Sequence, residues 1–122
     1  MKKILFIEDE SALQKTFDDI LRQENYEITP ALDGEIGLSL AKSAKPDLIL
    51  LDLILPKLNG FEVLKRLKED KETKEIPVIV LTNLEEMADI ERALELGATT
   101  YLVKANYSLK EVIEKIKKTV GE

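Results

Sequence analysis

The sequence predicts an α/β fold: one doubly wound parallel sheet of five strands, with helices on both faces. Three observations predict it. Five short apolar runs alternate with five segments of helical periodicity along the whole chain. Each strand segment is followed by a helical one, which calls for parallel strands joined by right-handed crossovers. The third run, "LILL" within Asp47–Asp52, is apolar throughout, as a strand covered on both faces must be.

Taken in order, "KILFIE" (Lys3–Glu8) is the first strand. Ser11–Gln23 follows as a helix, with Leu13, Phe17, Ile20 and Leu21 on one face. Ser11 and Gln14 have the spacing of a capping box. "YEIT" (Tyr26–Thr29) is the second strand; it is the least apolar, so it is placed at an edge. Asp33–Ala44 is the second helix, with Asp33 as its N-cap. Asp47–Asp52 is the third strand, and Asn59–Glu69 the third helix, with Asn59 and Glu62 a cap pair. "IPVIVLT" (Ile76–Thr82) is the fourth strand, its proline near the start where proline is tolerated. Glu85–Leu96 is the fourth helix, closed by Gly97, and Met87 is placed on its core face. "TTYLV" (Thr99–Val103) is the fifth strand. Ser108–Val120 is the last helix, opened by a Ser108/Glu111 capping box.

Composition narrows the chemistry. The chain of 122 residues suits one domain, residues 1–122, with a substantial core. At 44% hydrophobic and 34% charged it is globular. The absence of cysteine removes disulfide and thiolate chemistry. The absence of histidine removes Ser-His-Asp and Cys-His catalysis and the usual zinc sites. A net charge of −6 without a basic cluster disfavours direct binding to nucleic acid or an anionic membrane. The apolar run after the N-terminal lysines is too short for a signal peptide or a membrane span, and a cytoplasmic location is expected. The tail "KKTVGE" leaves open whether a linker to a further segment begins there.

In open α/β sheets ligands bind at the carboxyl ends of the strands. The first strand ends in Glu8 and Asp9, the third in Asp52, the fourth in Thr82 and the fifth in Lys104. Three carboxylates, a hydroxyl and an ammonium therefore gather at one sheet edge. Two carboxylates about 4 Å apart repel by roughly 4 kcal/mol at an effective dielectric of 20. Lys104 offsets part of this, and a hard divalent cation offsets more. Mg²⁺, which takes one or two carboxylates plus waters, is the natural choice. Such an ion beside a lysine favours a phosphoryl group. Glu10 has the plainer task of a first-turn carboxylate at a helix N-terminus.

With these residues in place, the chain resembles a bacterial two-component response-regulator receiver domain, similar to the single-domain chemotaxis type. "FIEDES" resembles the family's acidic pair, and "LLDLILPKLNGFEVL" its phosphoacceptor segment, with Pro56 and Gly60 at the usual offsets from Asp52. "VIVLT" resembles the segment with the switch threonine, and "GATTYLVKA" the one with an aromatic switch residue and a lysine. The resemblance implies a flavodoxin-like sheet of order 2-1-3-4-5. It implies Asp52 as phosphoacceptor, with Asp9 and Asp52 binding Mg²⁺ directly, Glu8 through water, and the Ile54 carbonyl completing the set. Lys104 pairs with the phosphoryl oxygens, and Thr82 bonds them and moves inward. Tyr101 then turns toward the space left by Thr82, changing the surface of the fourth helix, fifth strand and fifth helix. The donor is a histidine kinase, a phosphotransfer protein or a small phosphodonor. A downstream protein of unknown identity reads the change, and the chain is a monomer or weak dimer that turns over no external substrate.

Three departures from the family pattern shape further expectations. Ala105 replaces the usual proline after the lysine, and a cis non-proline bond costs about 2.5–4 kcal/mol, so Lys104–Ala105 is expected to be trans. Asn83 follows Thr82 where a small residue is usual. Ile54 and Leu84 are apolar at positions beside the phosphoryl site that are often polar, which favours a long-lived phospho-form. Two other readings compete. One is an unphosphorylated receiver-like interaction module, which the intact acid–lysine–threonine set argues against and Asn83 and Ala105 keep open. The other is an Mg²⁺-dependent aspartyl phosphohydrolase, which lacks its second acid because that position is Ile54.

Overall fold

The computed structural model describes residues 1–121. The strands are β1 (Lys3–Ile7), β2 (Glu27–Ala31), β3 (Leu48–Leu51), β4 (Val78–Thr82) and β5 (Thr100–Val103). The helices are α1 (Ser11–Gln23), α2 (Gly34–Ser43), α3 (Gly60–Glu69), α4 (Met87–Glu95) and α5 (Leu109–Val120), and a short 3₁₀ turn spans Lys104–Asn106. All four strand pairings are parallel, in the order β2-β1-β3-β4-β5. Glu122, the last residue of "KKTVGE", lies outside the described residues.

Alternation along the strands divides the core in two. Ile4, Phe6, Leu48, Leu50, Ile79, Leu81 and Leu102 face α1 and α5, where they meet Phe17, Leu21, Val112, Ile113 and Ile116. Phe6 and Phe17 pack edge to face, with centroids 5.0 Å apart. Leu5, Ile7, Ile49, Leu51, Val78 and Val80 face the other way, onto Ala41, Val63, Leu64, Leu67 and Ala93 of α2, α3 and α4. Each fully buried Leu, Ile or Phe contributes about 1.5–3 kcal/mol, so the two layers fix the register firmly. The register aligns Ile7 with both Ala31 and Leu51, and Thr82 with Val103, which brings the carboxyl ends to one edge.

Several sequence expectations shift. β2 begins at Glu27, one residue late, and runs on to Ala31. Tyr26 instead packs into the core, its backbone N–H donating to Leu21 O at 3.0 Å. Pro30 lies within β2 without cost because β2 is an edge strand. The Ser11/Gln14 capping box is not made. The N-cap of α1 is Glu10, outside the first turn, and its side chain makes no cap bond. α4 starts at Met87 rather than Glu85, with Glu86 as an N-cap without a side-chain bond. Met87 is 67% exposed, not core, because α4 buries only Ala93 fully against the sheet. The Asp33, Asn59 and Ser108 caps form as expected. Gly97, at φ +109°, ends α4 with its N–H on Leu94 O. No cis peptide bond occurs among the described residues, so Lys104–Ala105 is trans and leads into the 3₁₀ turn.

Candidate functional site

Each strand end delivers one group to the site. β1 stops at Ile7, and Glu8 still donates its N–H to Ala31 O at 2.9 Å while its side chain turns toward Asp52. Asp52 follows β3 directly, and its N–H donates to Ile7 O at 3.0 Å. The Ile54 N–H in turn donates to Asp52 Oδ1 at 3.1 Å, fixing one carboxylate oxygen. Lys104 leaves β5 and places Nζ 2.6 Å from Glu8 Oε1 and 3.0 Å from Asp52 Oδ2. The Lys104 side chain is 18% exposed, whereas those of Glu8 and Asp52 are 1% and 5% exposed.

Asp9 is exposed beside them, and one oxygen from each of Glu8, Asp9 and Asp52 falls within 4.8 Å of the others. Thr82 is fully buried at the end of β4, with Oγ1 accepting a long 3.4 Å bond from Leu84 N. Tyr101 on β5 donates from its hydroxyl to Leu84 O at 2.8 Å, so one loop residue touches both Thr82 and Tyr101. Ile54 is 52% exposed at the rim, and Asn83 is exposed next to Thr82.

The electrostatics follow from one ammonium serving two carboxylates. Burial pushes the Glu8 carboxyl up to about 7; Asp52 adds to the rise, while the bonds from Lys104 and the Glu10 N–H oppose it. Burial alone pulls the Lys104 ammonium down, but its bonds to Glu8 and Asp52 outweigh that and leave it raised. Both shifts are upward, which leaves one group toward a neutral acid and the other a firmly charged base. The geometry reconciles them. Lys104 neutralises a single charge of the pair, and the cost of a second negative charge is greatest at the more buried acid, Glu8, which therefore holds its proton more tightly. Oxygen donors this close, carrying more negative charge than one lysine cancels, suit a hard divalent cation.

The surrounding loops are braced. Gly60 opens α3, and a Cβ there would lie 2.4 Å from Leu53 Cα and 2.5 Å from Asp52 O. Lys57, at φ +66°, reaches from the β3–α3 loop to the Asp33 carboxylate at 3.5 Å. Sequence reasoning missed one residue. Gln14 is 5% exposed, and the two N–H groups of its Nε2 are shared among Phe6 O at 2.7 Å, Glu8 O at 3.1 Å and Ala31 O at 3.1 Å. The signal was available, since an amide interrupts the apolar face of α1 beside Leu13 and Phe17.

The family model described as the response regulator receiver domain matches residues 4–117. The chain belongs to this family. Receiver domains serve two-component signalling and bind Mg²⁺ at an acidic site. This receiver is 37% identical over 121 residues to the polar-differentiation response regulator DivK of Brucella anthropi, covering 99% of this chain and 98% of that one. It is 38% identical over 117 residues to the DNA-binding dual master transcriptional regulator RpaA of Synechocystis, covering 96% of this chain and 48% of that protein. The receiver thus spans about half the length of several curated relatives it matches. Among solved structures, it superposes with a TM-score of 0.88 on the receiver domain of the Pseudomonas aeruginosa sensor histidine kinase PA1611, at 27% identity and covering 99% of this chain and 98% of that one. That structure has a magnesium ion coordinated in its active-site cleft. Among the described residues no helix is long and apolar enough to cross a membrane.

Proposed function

We propose that this receiver is a phosphorylation-activated switch with Asp52 as the phosphoacceptor. One observation carries the reading: Asp52, Glu8 and Lys104 are locked in a single ion-paired cluster, with Asp9 in reach of both acids. Asp52 Oδ2 attacks the phosphorus of a phosphohistidine or acyl phosphate donor. A new O–P bond forms, and the donor's P–N or P–O bond breaks, its electron pair leaving with the donor. Lys104 then exchanges its contact with the carboxylate for one with the incoming phosphoryl oxygens. Asp9, Asp52 and the Ile54 carbonyl would hold Mg²⁺ directly and Glu8 through water. When bound, the ion neutralises charge shared between acid and phosphoryl group.

Thr82 and Tyr101 carry the change outward. The Thr82 hydroxyl turns to the phosphoryl group and gives up its long contact with Leu84 N. The Leu84 loop then shifts, and the Tyr101 hydroxyl loses its carbonyl partner and turns inward. The readout surface is α4, β5 and α5, presented in the cytoplasm to a downstream protein. The chain modifies itself from a donor and turns over no external substrate.

The test is intact mass after incubation with acetyl phosphate and Mg²⁺, for wild type and Asp52→Ala. A phosphoryl adduct on wild type alone is expected. An unmodified wild type, or an adduct retained by Asp52→Ala, overturns the assignment.

A further inference from the structure

Gln14 is a polar side chain in an apolar layer, on the helix that packs against β1 and β2. Three carbonyls surround its amide nitrogen, those of Phe6, Glu8 and Ala31. This fixes the amide orientation, because the reverse placement would set an oxygen against three oxygens. Gln14 Oε1 is buried and accepts no hydrogen bond from the described residues, so all the polar bonding of the side chain lies on the nitrogen side. A hydrophobic residue would fill the same face of α1 without that imbalance.

The three carbonyls have one thing in common. Phe6 lies in β1 and Glu8 follows the end of that strand, directly before Asp9, and Ala31 is the β2 residue that already accepts from Glu8 N–H at 2.9 Å. The Gln14 amide therefore ties the peptide that follows Glu8 to β1 and to β2 at once. That peptide joins the Glu8 carbonyl to the Asp9 N–H. Its plane sets the direction in which the Glu8 and Asp9 side chains leave the backbone.

We infer that Gln14 is a positioning residue for the divalent-cation site: its amide clamps the Glu8–Asp9 peptide so that both carboxylates converge on Asp52. The inference rests on the cation site proposed above and adds a residue that touches neither ion nor phosphoryl group. Groups that orient metal ligands are worth about 10–100-fold in metal affinity.

Calorimetric titration of the full chain with MgCl₂, together with a urea midpoint for each variant, tests it. Gln14→Met keeps the length and volume of the side chain and removes the donors. Thr73→Val is the control. It removes another buried bond, Thr73 Oγ1 to Leu67 O at 2.7 Å, in the α3–β4 connection at the opposite end of the sheet. Gln14→Met is expected to weaken Mg²⁺ binding about tenfold or more, while Thr73→Val loses stability and keeps its affinity to within about twofold. If Gln14→Met does not fold, Gln14→Asn, whose shorter amide cannot span the three carbonyls, takes its place with the same expectation. Wild-type affinity in the Gln14 variant overturns the positioning role and leaves the cation site standing. A wild-type chain that binds no Mg²⁺ overturns the cation site and the inference with it.

Discussion

In the proposed switch, Ile54 is the residue expected to set the lifetime of a phosphorylated Asp52. Its N–H holds Asp52 Oδ1, and the residue is 52% exposed. Leu84, the other neighbour, is half-buried and spends its N–H and carbonyl on Thr82 and Tyr101. Neither side chain can accept a hydrogen bond from an attacking water. Hydrolysis of the aspartyl phosphate should therefore be slow. A polar group at the rim should speed it, though by less than a fully positioned base, which contributes about 10²–10⁴-fold. Ile54→Gln is expected to shorten the phospho-form about tenfold. The decay of the adduct by intact mass, after the donor is removed, measures it. Phosphate lost from wild type within seconds at neutral pH would show that some other group orients the water.

The elements differ in how far their placement could be read from residues alone. β1, β3 and β4 were legible because continuous apolar runs between polar breaks admit only a doubly covered strand. Asp33, Asn59 and Ser108 were legible as caps because their bonds stay within three residues of chain. Gln14 was misread because its partners are strand-end carbonyls, two in β1 and its loop and one in β2, which no local spacing announces. Met87 was misread because the helical period shows which side of α4 is apolar, not whether the sheet reaches it. The convergence of Glu8, Asp9, Asp52, Thr82 and Lys104 on one edge followed from strand ends alone. The sharing of Lys104 between two acids did not, since it depends on side-chain reach. Two substitutions separate a cap from a close approach. Ser108→Ala removes a capping-box bond made only with Glu111, to none of the site side chains, and should cost about 1 kcal/mol, with phosphorylation intact. Gly60→Ala drives a methyl into the Asp52 and Leu53 backbone and should cost about 1–3 kcal/mol. It should also slow phosphorylation, because the atoms that must yield are the backbone of the proposed acceptor, Asp52, and of Leu53 beside it. Urea midpoints and adduct formation rates together distinguish the two.

At the scale of the whole molecule, the acidic site works against folding, and pH shows it. The Glu8 carboxyl is raised from 4.5 to about 7, chiefly by burial. Between those values the native chain holds a proton that the unfolded chain has released. Stability falls with rising pH wherever the native state binds the extra proton. The contribution of Glu8 is therefore complete below 4.5 and is lost as pH rises through about 7. Asp33, Asp70 and Glu111 are lowered by backbone N–H bonds and, for Asp70 first of all, by Lys42. Their contributions have the opposite sign and are lost only below the ordinary carboxylate range. The interval from about pH 5 to about pH 8 thus isolates Glu8. With a chelator present, the urea midpoint of wild type is expected to fall across that interval, and Glu8→Gln is expected to flatten the fall. Added Mg²⁺ should restore the wild-type midpoint at the alkaline end, because the cation prefers the ionised acids. The gain should approach about 2.7 kcal/mol at a hundred times the dissociation constant. A wild-type midpoint that does not fall from about pH 5 to about pH 8 without Mg²⁺ would mean that Glu8 is already ionised in the native chain at about pH 5, its charge held by Lys104 and the Glu10 N–H, and would overturn the raised Glu8 carboxyl.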